Sequence, residues 1–491
     1  MSHKAEKPAL GPNLLANLAQ YQLYSNSFKG GRFMRHPADE TLDPSFAKPK
    51  ALKATNINKA GVGANSYLRV HPREIPEEYE TRLSRSYYIN YCAEVVNIYV
   101  ATLFSKGYAI DRSDVLKALP PEIVVNIDGN GRGVHRFLKD AYREALVMGW
   151  VGILTDIPTA PEDGFSSAAA ERESNLRPYS RILLPTTIWD WAIDPVDGDF
   201  EWVFYFDGEF NGEPRWILWT RKDWSWIDED NNVTHTQAHD LPRIPLDLLI
   251  CDSASLDDDE EPFGHSLLRD IADINLDIYQ KSSELEDLLR KTAYPTRVWQ
   301  TEPGDFDSAL DNLKKHGGPP GGAGYDLIFN GEIKWISPDS ATSKSLVDHI
   351  WGQIREIRRL GGVGGRSEDS VEAHSGIALE WENSVKFTLV KSRADNLRDL
   401  EVRLWRTYSS YLGYELPAES VRYPVAYAIQ PRPEDFLELE QSLSNQMPES
   451  VIRAQMKDIT LKRFSNLPNI EELLSDIDKW TRADIDKWTK S

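Results

Sequence analysis

Between residues 265 and 412 the apolar positions form three helical stripes with two different kinds of interruption. Leu267, Ile271, Ile274, Ile278, Leu285 and then Leu288 or Leu289 recur mostly three or four apart, which puts them on one face of a helix over 266–291. Pro295 ends that helix, because the residue before a proline is turned away from helical angles. Leu346, Ile350, Ile354 and Ile357 mark a second helix over 343–360, stopped by Gly361-Gly362-Val363-Gly364-Gly365. Ile377, Trp381, Val385, Leu389, Leu397, Leu400, Leu404 and Tyr408 carry a third over 375–412. At about 1.5 Å per residue it reaches roughly 55 Å.

The first interruption, 292–342, reads as a small α/β unit. Thr296-Arg297-Val298-Trp299-Gln300 is a strand, and Phe306, Leu310 and Leu313 give a short helix over 305–315. Strands at 325–329 and 332–336 flank Asn330-Gly331, a hairpin signal. About fifty residues make a weak independent core, so this unit gains from neighbours.

Upstream, residues 1–75 lack sustained periodicity and read as an extended arm with at most a short helix at 14–24. One helix is expected over 76–110 and another over 134–150, followed by a strand at 152–156 and a loop at 158–178. Residues 181–251 are β-rich, with strands at 200–206, 215–220 and 223–227 in an antiparallel meander. Asp207-Gly208 and the run from Asp228 to Asn232 supply its turns. After the third stripe, 431–447 and 448–461 read as helices. The tail then repeats Asp-Ile-Asp-Lys-Trp-Thr at 476–481 and 484–489.

Composition narrows the function. The chain has 491 residues, too many for one simple core, with 77 acidic and 56 basic residues and a net charge of −21. Such a chain repels nucleic acid unless its cations are locally concentrated, so a protein that grips DNA broadly is disfavoured. A channel wall along which DNA slides is not. Cys92 and Cys251 are far apart, which excludes a zinc ribbon or a disulfide framework. The first residues lack an apolar signal core, and no apolar run is long enough to span a membrane.

No catalytic or metal signature is present, and no cofactor is expected. His349 and His374 are isolated, and the acids from Asp257 to Glu261 lack the alternate spacing of a calcium loop. The glycine run resembles a phosphate loop only superficially: Arg366 stands where that motif has lysine, and the run follows a helix. A hinge suits it better. Arg355, Arg358 and Arg359 share a helix face, where they either touch phosphate or pair with Asp270, Asp273 or Asp277 on the neighbouring helix. Arg297, Lys314 and Lys315 are partner-contact candidates or plain surface charge. The tryptophans of 189–226 either stack on sugars, making a carbohydrate-binding or carbohydrate-active protein the alternative, or pack across strands.

The order of helix, small insertion, helix, glycine loop and long helix resembles the core of tailed-bacteriophage portal proteins, over roughly residues 80–440. The segment from Ser375 to Glu380 resembles the small-residue start of their long helix, and that from His239 to Leu246 resembles their lead into the stem. The resemblance implies an α+β fold. Its parts are an arm (1–75), a helical wing with a β-meander (76–265), a stem (266–291 and 343–360), a clip (292–342), a tunnel loop (361–374), a long wing helix with its return (375–430) and a helical crown (431–491). It implies a homo-oligomeric ring, about a 12-mer, at one capsid vertex, with no enzymatic activity of its own. Its partners would be the terminase large subunit, the head-tail adaptor and the major capsid protein. Double-stranded DNA would pass without sequence specificity, and no membrane is involved. Gly361, Gly362, Gly364, Gly365, Arg366, Glu368, Asp369 and Glu372 would then face the bore. The stem arginines and aspartates would lie between subunits or in the channel, and Arg297, Lys314 and Lys315 would meet the motor or adaptor. A scaffold or baseplate component of the virion is a further reading.

Overall fold

A computed structural model of the chain describes residues 8–35, 66–71, 74–104, 110–158, 177–253, 263–293, 298–300, 327–329, 340–363, 376–417, 420–424, 433–445, 447–464 and 470–480. It mixes helices with antiparallel sheets, the α+β class expected from the sequence.

Helix α1 (Pro12–Lys29) is longer than the short helix expected at 14–24, and it is no loose extension of its own chain. Leu14, Leu18, Tyr21 and Tyr24 are buried in the main core. Trp150 Nε1 donates to Tyr21 Oη at 3.1 Å. A short turn, α2 (Arg32–Arg35), follows.

The single helix expected over 76–110 is two: α3 (Pro76–Arg85) and α4 (Tyr91–Phe104). Pro76 opens α3 at a position where its missing N–H costs nothing. The break at 86–90 has a physical cause in caps. Asn90 Oδ1 accepts from Ala93 N at 2.8 Å, ending one register and starting another. Helices α5 (Ser113–Ala118), α6 (Pro121–Val125) and α7 (Val134–Met148) follow.

Gly149 ends α7 at φ 90°, and a Cβ there would lie 2.4 Å from Gly264 O, so only glycine admits the neighbouring backbone. Next come β1 (Trp150–Asp156), β2 (Tyr179–Leu183), β3 (Ile188–Ile193), β4 (Phe200–Phe210), β5 (Glu213–Thr220), β6 (Asp223–Ile227), β7 (Val233–Ala238) and β8 (Leu246–Ile250). They form a five-stranded meander in the order β3-β4-β5-β6-β7 and a three-stranded sheet in the order β2-β1-β8.

Asp207-Gly208 is not the meander's turn. The turn is Asn211-Gly212, both at positive φ (55° and 87°), while Phe206–Gly208 is a bulge inside β4. Asp207 stays in the sheet because Arg181 and Arg215 both pair with it. Burial alone would raise its carboxyl, but the Arg181 and Arg215 guanidiniums outweigh burial and hold it below the ordinary carboxylate range.

A short hairpin, β9 (Asp252–Ser253) with β10 (Gly264–His265), leads into α8 (Arg269–Ala293). Strands β11 (Val298–Gln300) and β12 (Leu327–Phe329) pair in parallel. The helix expected at 305–315 and the hairpin at Asn330-Gly331 lie outside the described residues. Then follow α9 (Ser340–Leu360), α10 (Gly376–Leu412), α11 (Pro433–Ser444), α12 (Glu449–Phe464) and α13 (Ile470–Lys479).

One large core joins α1, α4, α7, α8, α9 and α10 to one face of the sheets. A second, built on Trp150, Val203, Tyr205, Trp219 and Trp224, fills the space between the two sheets. Helices α11–α13 share a small core of Leu439, Ile452, Met456, Ile459 and Ile477. The first copy of the tail repeat therefore buries Ile477; the second lies outside the described residues.

Candidate functional site

Helix α8 and helix α9 pack on each other, and the start of α8 and the end of α9 both lie on α4, so the pair is an antiparallel hairpin. Its apolar stripe is buried near α4 and loses cover with distance. Ile271 and Ile278 are buried and Leu285 half-buried, while Leu289 is 47% exposed. On α9, Ile357, Ile354 and Ile350 are buried and Leu346 is half-buried, while Trp351, beside this stripe, is 48% exposed.

Three side chains, Asn275, Tyr99 and Arg393, fix the hairpin's base. Asn275 of α8 is fully buried, and its Oδ1 accepts from Tyr91 N (3.0 Å) and Cys92 N (3.2 Å), capping α4 from outside. Its Nδ2 donates to Ile89 O at 2.9 Å. The end of α9 is tied down by Tyr99, whose Oη donates to Gly361 O at 2.9 Å. From α10, Arg393 stacks its guanidinium on the Tyr99 ring, 4.4 Å from the centroid, and donates to Asp252 Oδ2 at 2.6 Å.

Gly361 and Gly362 are thus parts of a helix stop. Gly361 N returns to Ile357 O at 2.8 Å, Val363 N to Arg358 O at 3.1 Å, and Gly362 takes φ 60°, as glycine C-caps do. A Cβ on Gly361 would lie 2.8 Å from Val95 Cγ1. Gly362 also approaches Leu389 of α10, since a Cβ there would meet its Cδ1 at 3.2 Å. Residues 376–388 of α10 therefore extend beyond this junction by about 20 Å. Gly364, Gly365, Arg366, Glu368, Asp369 and Glu372 lie outside the described residues, as do Arg297, Lys314 and Lys315.

Within the chain, Arg355, Arg358 and Arg359 make no ion pair with Asp270, Asp273 or Asp277 among the described residues. Arg359 pairs with Glu356 on its own helix (2.5 Å), and Arg358 reaches Glu94 of α4 (3.5 Å). Arg355 is exposed, with no ion pair among the described residues. Asp277 pairs with Lys281 and accepts from Gln353 Nε2 at 2.5 Å, so α8 and α9 are joined by an amide, not a guanidinium. Asp270 and Asp273 are exposed at the start of α8. Partial burial, with the Asp270 charge nearby, raises the Asp273 carboxyl.

Sequence reasoning missed Tyr99 and Asn275. For Asn275 the signal was there: a carboxamide inside the apolar stripe Ile271–Ile278 needs partners when buried. Trp189, Trp216, Trp219 and Trp224 of the meander are buried packing partners. Trp219 is 2% exposed and lies 6.2 Å from Trp224, and Trp189 meets Trp216 edge-on at 5.2 Å. Among the described residues no cluster of His, Cys, Asp or Glu could hold a metal, and no helix is long and apolar enough to cross a membrane.

No family model matches the chain, and no curated protein matches it. Among solved structures it is similar to a chain in the neck of an empty gene transfer agent particle computed with C6 symmetry. That match has 14% identity over 72% of this chain and 86% of the other, with a TM-score of 0.36. It is similar to a chain in the virion of a native gene transfer agent particle, at 14% identity over 72% and 85%, TM-score 0.35. The neck of a native particle computed with C12 symmetry gives 13% identity over 72% and 86%, also at TM-score 0.35.

Proposed function

We propose that this chain is the repeating unit of a portal ring, a non-enzymatic virion component through which double-stranded DNA passes. One observation carries the reading: a two-helix hairpin, clamped at its base by Asn275 and Gly361, whose apolar stripe loses cover toward its far end. A helix pair with a half-buried Leu285 and an exposed Trp351 calls for further copies of itself. The charges suit a head-to-tail contact. Helix α8 exposes Asp270, Asp273 and Glu286, while α9 exposes Lys344, Arg355 and Arg359 together with Asp348. Two different faces meeting around a closed rotation make a ring, not a two-fold dimer.

In this reading 361–374 lines the bore, with Arg366, Glu368 and Asp369 facing DNA, and the unit at 292–342 presents Arg297, Lys314 and Lys315 to the terminase large subunit and later the head-tail adaptor. The acidic excess keeps the polyanion from sticking. Negative-stain microscopy with light scattering tests the reading. Rings with a central hole and a mass of about twelve chains are expected, and Trp351→Asp should abolish them. Protein that stays single or paired at every concentration overturns the ring.

A further inference from the structure

Away from the stem, the last turns of α10 and the segment between β7 and β8 enclose a cleft of about 350 Å³. One wall is a helical stripe, Arg403, Arg406, Thr407 and Ser410, at the i, i+3, i+4, i+7 spacing that puts all four on one face. The other is Leu241-Pro242-Arg243 and Pro245, where two prolines stiffen the chain and remove two N–H groups. Asp199 also lines the cleft.

Behind the lining side chains lies a buried carboxylate. Asp247, 1% exposed, accepts from Arg243 Nη2 at 2.6 Å and from Thr407 Oγ1 at 3.3 Å, and lies 3.8 Å from Arg403 Nε. Arg403 Nη2 donates to Leu248 O at 3.1 Å. These contacts use one edge of each guanidinium and set its direction, as a supporting group does for a ligand-binding side chain. Arg406 is exposed and makes no ion pair among the described residues. Three guanidiniums against the carboxylates of Asp247 and Asp199 leave the cleft with one positive charge in excess, on a chain whose net charge is −21.

We infer that this cleft binds a phosphate dianion. Guanidinium forks match a tetrahedral oxyanion with paired N–H donors, which lysines would not do. Leu241 with the prolines gives an ester's organic part an apolar wall. Free phosphate and a phosphate monoester share this chemistry. The inference is independent of the ring, since none of these residues lies on the stem hairpin.

Calorimetric titration of the full chain with inorganic phosphate, and separately with adenosine 5′-monophosphate, tests it. The expected result is saturable binding that Arg406→Ala weakens at least about tenfold, with an unchanged melting temperature in the absence of phosphate. Tighter binding of the monophosphate than of phosphate identifies an ester as the ligand, and equal binding identifies the free ion. Arg403→Lys keeps the charge but loses the fork, and should weaken binding by a similar factor. Heats no larger than those of sodium chloride at matched ionic strength, or binding unaltered by Arg406→Ala, overturn the site.

Discussion

Arg112 grips Glu401 at two points, one of them Nη2 to Oε2 at 2.9 Å, joining the start of α5 to the middle of α10. Glu401 is fully buried, and Trp405 Nε1 (3.0 Å) and Tyr423 Oη (2.8 Å) donate to the same carboxylate. Burial alone would lower the Arg112 guanidinium, but the Glu401 charge outweighs it and raises it. Removing one partner strands the other without solvent. Glu401→Ala and Arg112→Ala should each cost about 3–5 kcal/mol by urea unfolding. Arg112→Lys should recover only part, because lysine lacks the fork. A cost near that of a surface pair would show that the buried geometry is wrong.

Asp156, at the end of β1, is pushed up to about 6 by burial, despite the 2.8 Å hydrogen bond it accepts from Ile157 N. A folded value above the ordinary 3.8 means the folded chain holds a proton that the unfolded chain has lost. Its contribution to stability is therefore greatest at or below about pH 4 and falls as pH rises through about 6. Asp156→Asn keeps the acceptor without the charge. It should raise stability at pH 8 by about 1–3 kcal/mol and do little at pH 4. Melting curves of both proteins across that window check the sign.

Gly361 and Gly362 should resist substitution for different reasons. Gly361→Ala drives a methyl against Val95 and should cost about 1–3 kcal/mol. Gly362→Ala places a Cβ at φ 60° and should cost about 1 kcal/mol. Tyr99→Phe leaves the Gly361 carbonyl short of a donor, for about another 1 kcal/mol. Thermal unfolding reads all three, and a neutral Gly361→Ala would place Val95 elsewhere.

Trp219→Ala empties the middle of the inter-sheet core and should cost about 3–5 kcal/mol. Glycan arrays should show the same signal, at background, before and after the change. Glycan binding that disappears with a partly exposed tryptophan, such as Trp226→Ala, would revive the carbohydrate reading.

The long elements were legible because their stripes repeat over many turns. The helices expected at 266–291, 343–360 and 375–412 begin and end within a few residues of α8, α9 and α10. What failed was set by contacts between distant segments. Tyr87, Tyr88 and Ile89 extend the apolar pattern of 76–110, and nothing local shows that Asn275, 186 residues from Ile89, holds the start of α4. Asp207-Gly208 and Asn211-Gly212 are rival turn signals four residues apart. The choice fell to Arg181, on another strand of another sheet. The α9 arginines share a face as expected, but their partners came from their own helix and α4, because Gln353 already occupies Asp277.

Asn275, Tyr99 and Arg393 bring three helices onto one fourteen-residue helix through directional contacts. Greasy surfaces slide past one another at little cost, whereas a hydrogen bond of fixed length and angle does not. Helix α4 therefore holds the hairpin's base and α10 in one register, and sliding either of them past it would break a directional contact.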